Sequence, residues 1–302
     1  MSTLSFDGDV IVVTGAGGGM GRTHALELAR RGARVVVNDL GGHPFGGGSD
    51  PGLAETVVAE IRAAGGEAVA NTESVSTPDG AASLTEQAMQ EWGRLDAVVA
   101  NAAILRDKPF DEMTIQDFDD VIDVNLKGVM RVLQPAFRAM KAGGGGRIVT
   151  ITSSSGMLGL TRAIALDGEQ YGIKANVLAP GALGTRMHLA LVESAGHHAD
   201  ADADLVNNAQ AAELLKPERV SPMVTVLTHP TCPVTGEVLA SWGGWYGRFG
   251  VTLNPGWADR VGIATAEELV AHWTEIVDDT AAHDAGLDAF AHGTRDAQEA
   301  VK

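Results

Sequence analysis

The stretch "VIVVTGAGGGMGRTHALELARRGA", from Val10 to Ala33, restricts the fold more than any other part of the chain. It opens with an unbroken β-branched run, which reads as a strand buried on both faces. A glycine-rich turn follows, and then an amphipathic helix that Gly32 closes. A strand covered on both faces belongs to a parallel sheet sandwiched between helices. The alternation then repeats along the sequence. The strands are "RVVVNDL", "EAVAN", "DAVVA", "GRIVTIT" and "KANVLAP"; the helices run from about Leu53 to Ala64, from Pro78 to Trp92 and from Thr114 toward Met140. Thr77 is placed to cap the second of these, with Pro78 at its first position, where a missing N–H costs little. Thr114 with Asp117 forms a capping box for the third. Strict alternation predicts parallel strands joined by crossover helices, an α/β doubly wound sheet.

Past residue 182 the pattern loosens. "HLALVESAGHHADADADLVNN" has helical propensity but weak periodicity, as expected of a lid or substrate loop over about 183–215. "GEVLASWGG" reads as a last, edge-side strand. Residues 1–248 are expected to form one domain and 249–302 a C-terminal extension. In the extension Thr265 and Glu268 cap a surface helix, "AEELVAHWTEIVDD". The tail from about Ala281 has little periodicity and is expected to be poorly ordered.

Composition excludes some classes of partner. The net charge of −17 over 302 residues argues against nucleic acid and against an anionic membrane surface, both of which need a basic face. A small anionic ligand stays open, because backbone dipoles at a helix end bind one on an acidic protein. The 38 glycines and 5% aromatic content suit many tight strand-to-helix turns. Cys232 stands alone, so an intramolecular disulfide is excluded; it reads as an inert thiol in a reducing compartment. The opening "MSTLSFDGDVIVVTG" has no basic n-region, and no run approaches the ~18 apolar residues of a membrane span. The expectation is a cytoplasmic protein.

"TGAGGGMG", Thr14 to Gly21, sits after a buried strand and opens a helix, where glycines let the backbone approach a pyrophosphate at the positive helix end. Asp39 lies at the end of the next strand, where an acid accepts both ribose hydroxyls and repels a 2′-phosphate. The pair predicts NAD, rather than NADP, on a Rossmann-type doubly wound parallel sheet. His43, in the glycine-rich loop that follows, reads as a solvated loop residue.

These glycines, with "VVANAAILRDK", "DVNLKG", "IVTITSSSG" and "LAPGA", resemble the short-chain dehydrogenase/reductase family. The resemblance implies a cofactor site at Gly15, Gly19, Met20, Gly21, Asp39, Ser74, Val75, Asn101, Ala102, Pro180 and Thr185. It also implies catalytic roles for Asn125 and Ser153. One departure falls at Ala100 and Ala103, where the family has asparagine and glycine; the added methyl at Ala103 crowds the cofactor modestly. "VVVNDLGG", "LLKPERVSPMV" and "GWYGRFGVTLNPGWA" narrow the likeness to the family's 3-hydroxyacyl-CoA dehydrogenases. An acyl-CoA thioester as substrate and a link to lipid metabolism follow from that likeness alone.

In that family a Tyr-x-x-x-Lys pair follows the serine. The tyrosine takes the hydroxyl proton as hydride leaves; the lysine lowers its pKa and holds the ribose. Here "SSSG" is followed almost at once by "LTRAIALDGEQYG", which resembles the second half of the helix that should carry the pair. Roughly 16 residues are absent, a loop and about two helical turns. Tyr171 with Lys174 has the wrong spacing, and Tyr246 has no lysine near it. Gly156 to Gly159 span only about 13 Å when extended, so the remaining helix is expected to be pulled toward the sheet edge and left uncapped. The homodimer that the family builds partly on this helix is expected to be weakened. No metal site is expected. "DADAD" at 200–204 lacks the glycine and glutamate of a calcium loop (Leu205 and Ala211 stand there), and His197 and His198 have no third ligand. The sequence therefore leaves two readings: an NAD-dependent dehydrogenase impaired by its gap, or a catalytically silent NAD-binding protein or deletion form.

Overall fold

The computed structural model describes residues 4–106, 108–109, 111–152, 157–193, 209–250, 252–257 and 265–284. The chain divides into two compact units, Met1–Arg248 and Phe249–Lys302.

The first unit is built on β1 (Val10–Thr14), β2 (Arg34–Asn38), β3 (Glu67–Asn71), β4 (Ala97–Ala100), β5 (Gly146–Ile151), β6 (Ile173–Gly181), β7 (Val238–Trp242) and β8 (Trp245–Phe249). Their order across the sheet is β3-β2-β1-β4-β5-β6-β7-β8. From β1 to β7 every pairing is parallel, with Val12 opposite Val36 on one side and Val98 on the other. The strand read from sequence as the edge is β7. A two-residue turn, Gly243–Gly244, with φ of 55° and 84°, carries the chain on into β8, which is the true edge. Such a turn requires positive φ at both positions, which glycine supplies without strain.

One face of the sheet carries α1 (Gly19–Arg30), α2 (Gly52–Ala63) and α9 (Ser221–Thr228). The other carries α3 (Pro78–Trp92), α5 (Val129–Gly143) and α6 (Leu158–Gly168). Burial explains the arrangement: all five residues of β1 are buried, and Leu28, Val57, Ile61, Val224 and Leu227 close over them from the first face. The Thr77 hydroxyl accepts from the Gly80 N–H and caps α3. The Thr114–Asp117 capping box opens α4 (Ile115–Ile122). The long helix read from sequence is not uniform, since a π-helical turn over Asp123–Gly128 joins α4 to α5. Beyond β6 come α7 (Arg186–Glu193) and α8 (Ala209–Leu214), with residues 194–208 outside the described set.

The shortened helix is where expectation and structure part. α6 is not drawn to the sheet edge: it packs along β6, an inner strand, and the Thr161 hydroxyl meets that of Thr150 on β5 at 2.8 Å in the core. Its far end is as close, because a Cβ at Gly168 would stand 2.7 Å from the Ile173 carbonyl oxygen. No side chain caps its first turn.

In the second unit β9 (Thr252–Leu253) pairs antiparallel with β10 (His283–Asp284), so the first residues of the acidic tail are held in place. Residues 285–302 lie outside the described set. The single helix expected after Thr265 is two short ones, α10 (Ala266–Ala271) and α11 (Trp273–Ile276), and the Thr265–Glu268 capping box is present. Among the described residues no helix is long and apolar enough to cross a membrane.

Candidate functional site

The strand order reverses between β1 and β4, since the chain winds outward to β3 before returning to lie beside β1. A crevice opens at such a switch point, outside the carboxyl ends of the strands. There the structure has a cleft of about 420 Å³, lined by residues that follow β1, β2, β3, β4 and β6.

The glycine turn forms its floor. Gly15 has φ of 63°, and a Cβ there would sit 2.8 Å from the Ala102 Cα. A Cβ at Gly21 would meet the Gly15 carbonyl oxygen at 2.1 Å, so the start of α1 lies flush on the turn. Thr14 and Asn101 tie the floor to β4: the Thr14 hydroxyl accepts from the Asn101 and Ala102 amides at 3.0 Å. The Asn101 side chain donates to the carbonyls of Thr14 and Gly15.

Asp39, buried at the end of β2, organises the next wall. Its Oδ2 accepts from the Gly17 N–H and its Oδ1 from the Gly41 N–H, both at 2.7 Å. Beside it Asn38 donates to Asn71 and to the Glu73 carbonyl, which fixes the turn carrying Ser74 and Val75 against the cleft. On the far wall Asn125 lies within the π-helical turn. Its Oδ1 accepts from the Ile104 N–H and its Nδ2 donates to the Ile104 carbonyl, each at 2.9 Å.

Of the positions proposed from sequence, Gly15, Gly19, Met20, Asp39, Ser74, Val75, Asn101, Ala102 and Thr185 come together around the cleft. Gly21 lies beneath the turn. Pro180, in the last stretch of β6, does not line the cleft, and Asn125 stands behind its wall, reaching it through Ile104. Ser153 is outside the described residues, as are His197, His198 and residues 200–204. Ala103 is on the lining.

Several lining residues were missed. The loop after β2 folds over the cleft and brings His43 to its mouth; the Leu105 amide donates to the Pro44 carbonyl, and Arg106 to that of Phe45. Arg106 also reaches Asp120 at 2.7 Å. The Asp120 carboxyl is held below its ordinary range, chiefly by the Gln116 amide and then by this guanidinium. Lys108, 2.8 Å from Asp117, holds that carboxyl well below the usual range, helped by the hydroxyl and amide of Thr114. Arg186 bends over the glycine turn to within 3.4 Å of Asp39. Arg106 stood in a quoted motif without a role; Arg186 follows Thr185 directly, and nothing local in the sequence aims it at Asp39.

Neither tyrosine lines the cleft. Tyr171 precedes β6, at the opposite end of the sheet; its hydroxyl accepts from Lys141 Nζ at 2.8 Å, and the ammonium lies 4.0 Å from the ring centroid. Tyr246, on β8, donates to the Arg219 carbonyl at 3.0 Å. Lys174 donates to the Cys232 carbonyl. Among the described residues no three His, Cys, Asp or Glu side chains are grouped to hold a metal.

The family model described as short chain dehydrogenase matches residues 9–196. The chain is 40% identical over 294 residues to a putative short-chain type dehydrogenase/reductase of Mycobacterium tuberculosis, covering 92% of this chain and 97% of that one. It is 39% identical over 295 residues to peroxisomal multifunctional enzyme type 2 of Mus musculus, covering 92% of this chain but 38% of that protein. The structure of the full-length Drosophila melanogaster enzyme of that name superposes with a TM-score of 0.75 at 31% identity, over 99% of this chain and 50% of the other. The chain thus spans half or less of these two multifunctional enzymes.

Proposed function

The chain belongs to the short chain dehydrogenase family of oxidoreductases, and from that premise we propose that it binds NAD in the cleft and descends from a dehydrogenase of secondary alcohols such as 3-hydroxyacyl-CoA thioesters, with its own turnover close to zero. The residues present fit a dinucleotide. The flush packing of Gly15, Ala102 and Gly21 leaves room for a pyrophosphate against backbone, and Asp39 stands at the ribose position with its carboxylate already oriented. Bound NAD supplies the hydride acceptor.

The chain's own part is to bind and orient. The turn's amides and the N-terminus of α1 face the phosphate charge. Asp39 accepts from the ribose hydroxyls and disfavours a 2′-phosphate, which is the ground for NAD over NADP. Ser74 and Val75 would flank the adenine, Thr185 would lie on the nicotinamide side, and Ser153 would orient the substrate oxygen. Among the described residues no tyrosine lines the cleft to take the alcohol's proton, without which hydride cannot leave carbon. The observation that carries this reading is that Tyr171 and Tyr246 are both hydrogen-bonded away from the cleft, while residues 152–157 alone separate β5 from α6.

The substrate class rests on the quoted motifs shared with 3-hydroxyacyl-CoA dehydrogenases, and the cytoplasmic setting on the lone Cys232. A weakened homodimer follows from the shortened α6, and sedimentation showing a tight dimer would count against it. The test of function is NADH formation from NAD and a panel of 3-hydroxyacyl-CoA thioesters, run beside an Asn125→Ala, Ser153→Ala control. No turnover, with saturable NADH binding, is the expected result. Turnover above the control would mean that another group serves as base.

A further inference from the structure

Arg186, the first residue of α7, lines the cleft and reaches back over the glycine turn with its side chain part-exposed. Its Nε stands 3.0 Å from the position a Gly18 Cβ would take, at the N-cap of α1, and the adjoining Thr185 Cβ is 3.2 Å from the corresponding point at Gly19. We propose that Arg186 is a cofactor-binding residue, which engages the pyrophosphate of the bound dinucleotide and so seats α7 over it. The proposal rests on the dinucleotide reading above.

The partner that Arg186 has without ligand is a poor one. Its Nη2 lies 3.4 Å from Asp39 Oδ2, and both oxygens of that carboxylate already accept an amide N–H at 2.7 Å. A guanidinium carries five N–H donors, and among the described residues Asp39 is the acceptor it meets. Its place is also electrostatically unfavourable, because the start of α1 bears the positive end of the helix dipole, which repels a cation. An anion between the two removes the conflict: the α1 amides and the guanidinium then donate to the same phosphate oxygens. The ribose hydroxyls, in turn, occupy the acceptor that Arg186 gives up. Its side chain keeps 43% of its exposure, so exchanging the Asp39 contact for a phosphate requires no repacking. Arginine suits the role, since its fork matches two phosphate oxygens at once.

Isothermal titration of ADP-ribose, NADH and NADPH into the full chain tests this without turnover. ADP-ribose keeps the adenosine and the pyrophosphate and lacks the nicotinamide. Arg186→Gln is expected to weaken ADP-ribose and NADH alike by about tenfold or more, the scale of a lost charge-assisted hydrogen bond. Arg186→Lys should recover part of that loss through its charge, and the wild-type affinity should fall more steeply with added salt than that of the glutamine variant. Equal or tighter ADP-ribose binding by Arg186→Gln overturns the assignment. A loss confined to NADPH also overturns it, because the guanidinium would then serve a 2′-phosphate. If the wild-type chain binds none of the three, the dinucleotide reading itself fails and this one falls with it.

Discussion

The hydroxyls of Thr150 on β5 and Thr161 on α6 meet at 2.8 Å with both side chains wholly shielded from solvent. The helix α6 is therefore fastened to the sheet by a buried polar pair. Removing one partner strands the other, which costs about 1–3 kcal/mol in the interior, whereas removing both with shape preserved is nearly neutral. Thr161→Val should lower the stability in urea by that amount. The double variant Thr150→Val, Thr161→Val should recover most of it, and purely additive losses would show that the pair does not anchor the helix.

Asp39→Asn keeps the shape of the ribose-site side chain and one of its two amide acceptors while removing the charge. NADH affinity is expected to fall by about tenfold. NADPH affinity should fall less or rise, so that their ratio moves toward NADPH. Fluorescence titration with the two reduced cofactors reads this directly, and an unchanged ratio would remove Asp39 from the ribose site.

His24 gives the fold an acid sensitivity. The ring is fully buried, with Nδ1 2.8 Å from the Ser221 hydroxyl, and burial pushes its pKa down from 6.5 to about 3. The unfolded chain takes up a proton near the ordinary value and the folded chain does not. The stabilisation is thus present above that value and is lost as pH falls toward the depressed one. Between about pH 7 and about pH 5 the loss is about 2 kcal/mol. In urea melts at the two pH values, the advantage of wild type over His24→Gln should shrink by that amount; a constant difference would mean that His24 titrates normally.

Insertion after Gly156 of a loop and helix segment carrying Tyr-x-x-x-Lys, roughly 16 residues, should create NADH formation where the parent chain gives none. The Thr150–Thr161 seat fixes the rest of α6, so the added turns extend its N-terminal end. Continued silence would place a second defect elsewhere, with the Ala103 methyl on the cleft lining as the first suspect.

Much of this was legible because its causes are local. The run Val10–Val13, the caps at Thr77, Thr114 and Thr265, and the glycine turn before α1 each depend on neighbours within a few residues, and each is present where the sequence places it. What was not legible depends on distant partners. The Arg186 contact spans 147 residues to Asp39, and the loop over the cleft is held by Arg106, 61 residues beyond Phe45. The π-helical turn at Asp123–Gly128 has no side-chain cap and no proline to mark it in the sequence. Linker length alone does not set the position of α6: Thr161 is bonded to β5, Ala165 is buried and Gly168 lies too close to β6 for a short linker to draw the helix away.

Asn125 holds Ile104 by both its backbone N–H and its carbonyl, and this brace needs neither a tyrosine nor a lysine. Its bonds in this fold are those of a structural clamp, so its presence in a sequence is not diagnostic of turnover. Tyr171 and Tyr246 are likewise held by architectural hydrogen bonds away from the cleft, so a tyrosine informs on chemistry by its place and not by its presence.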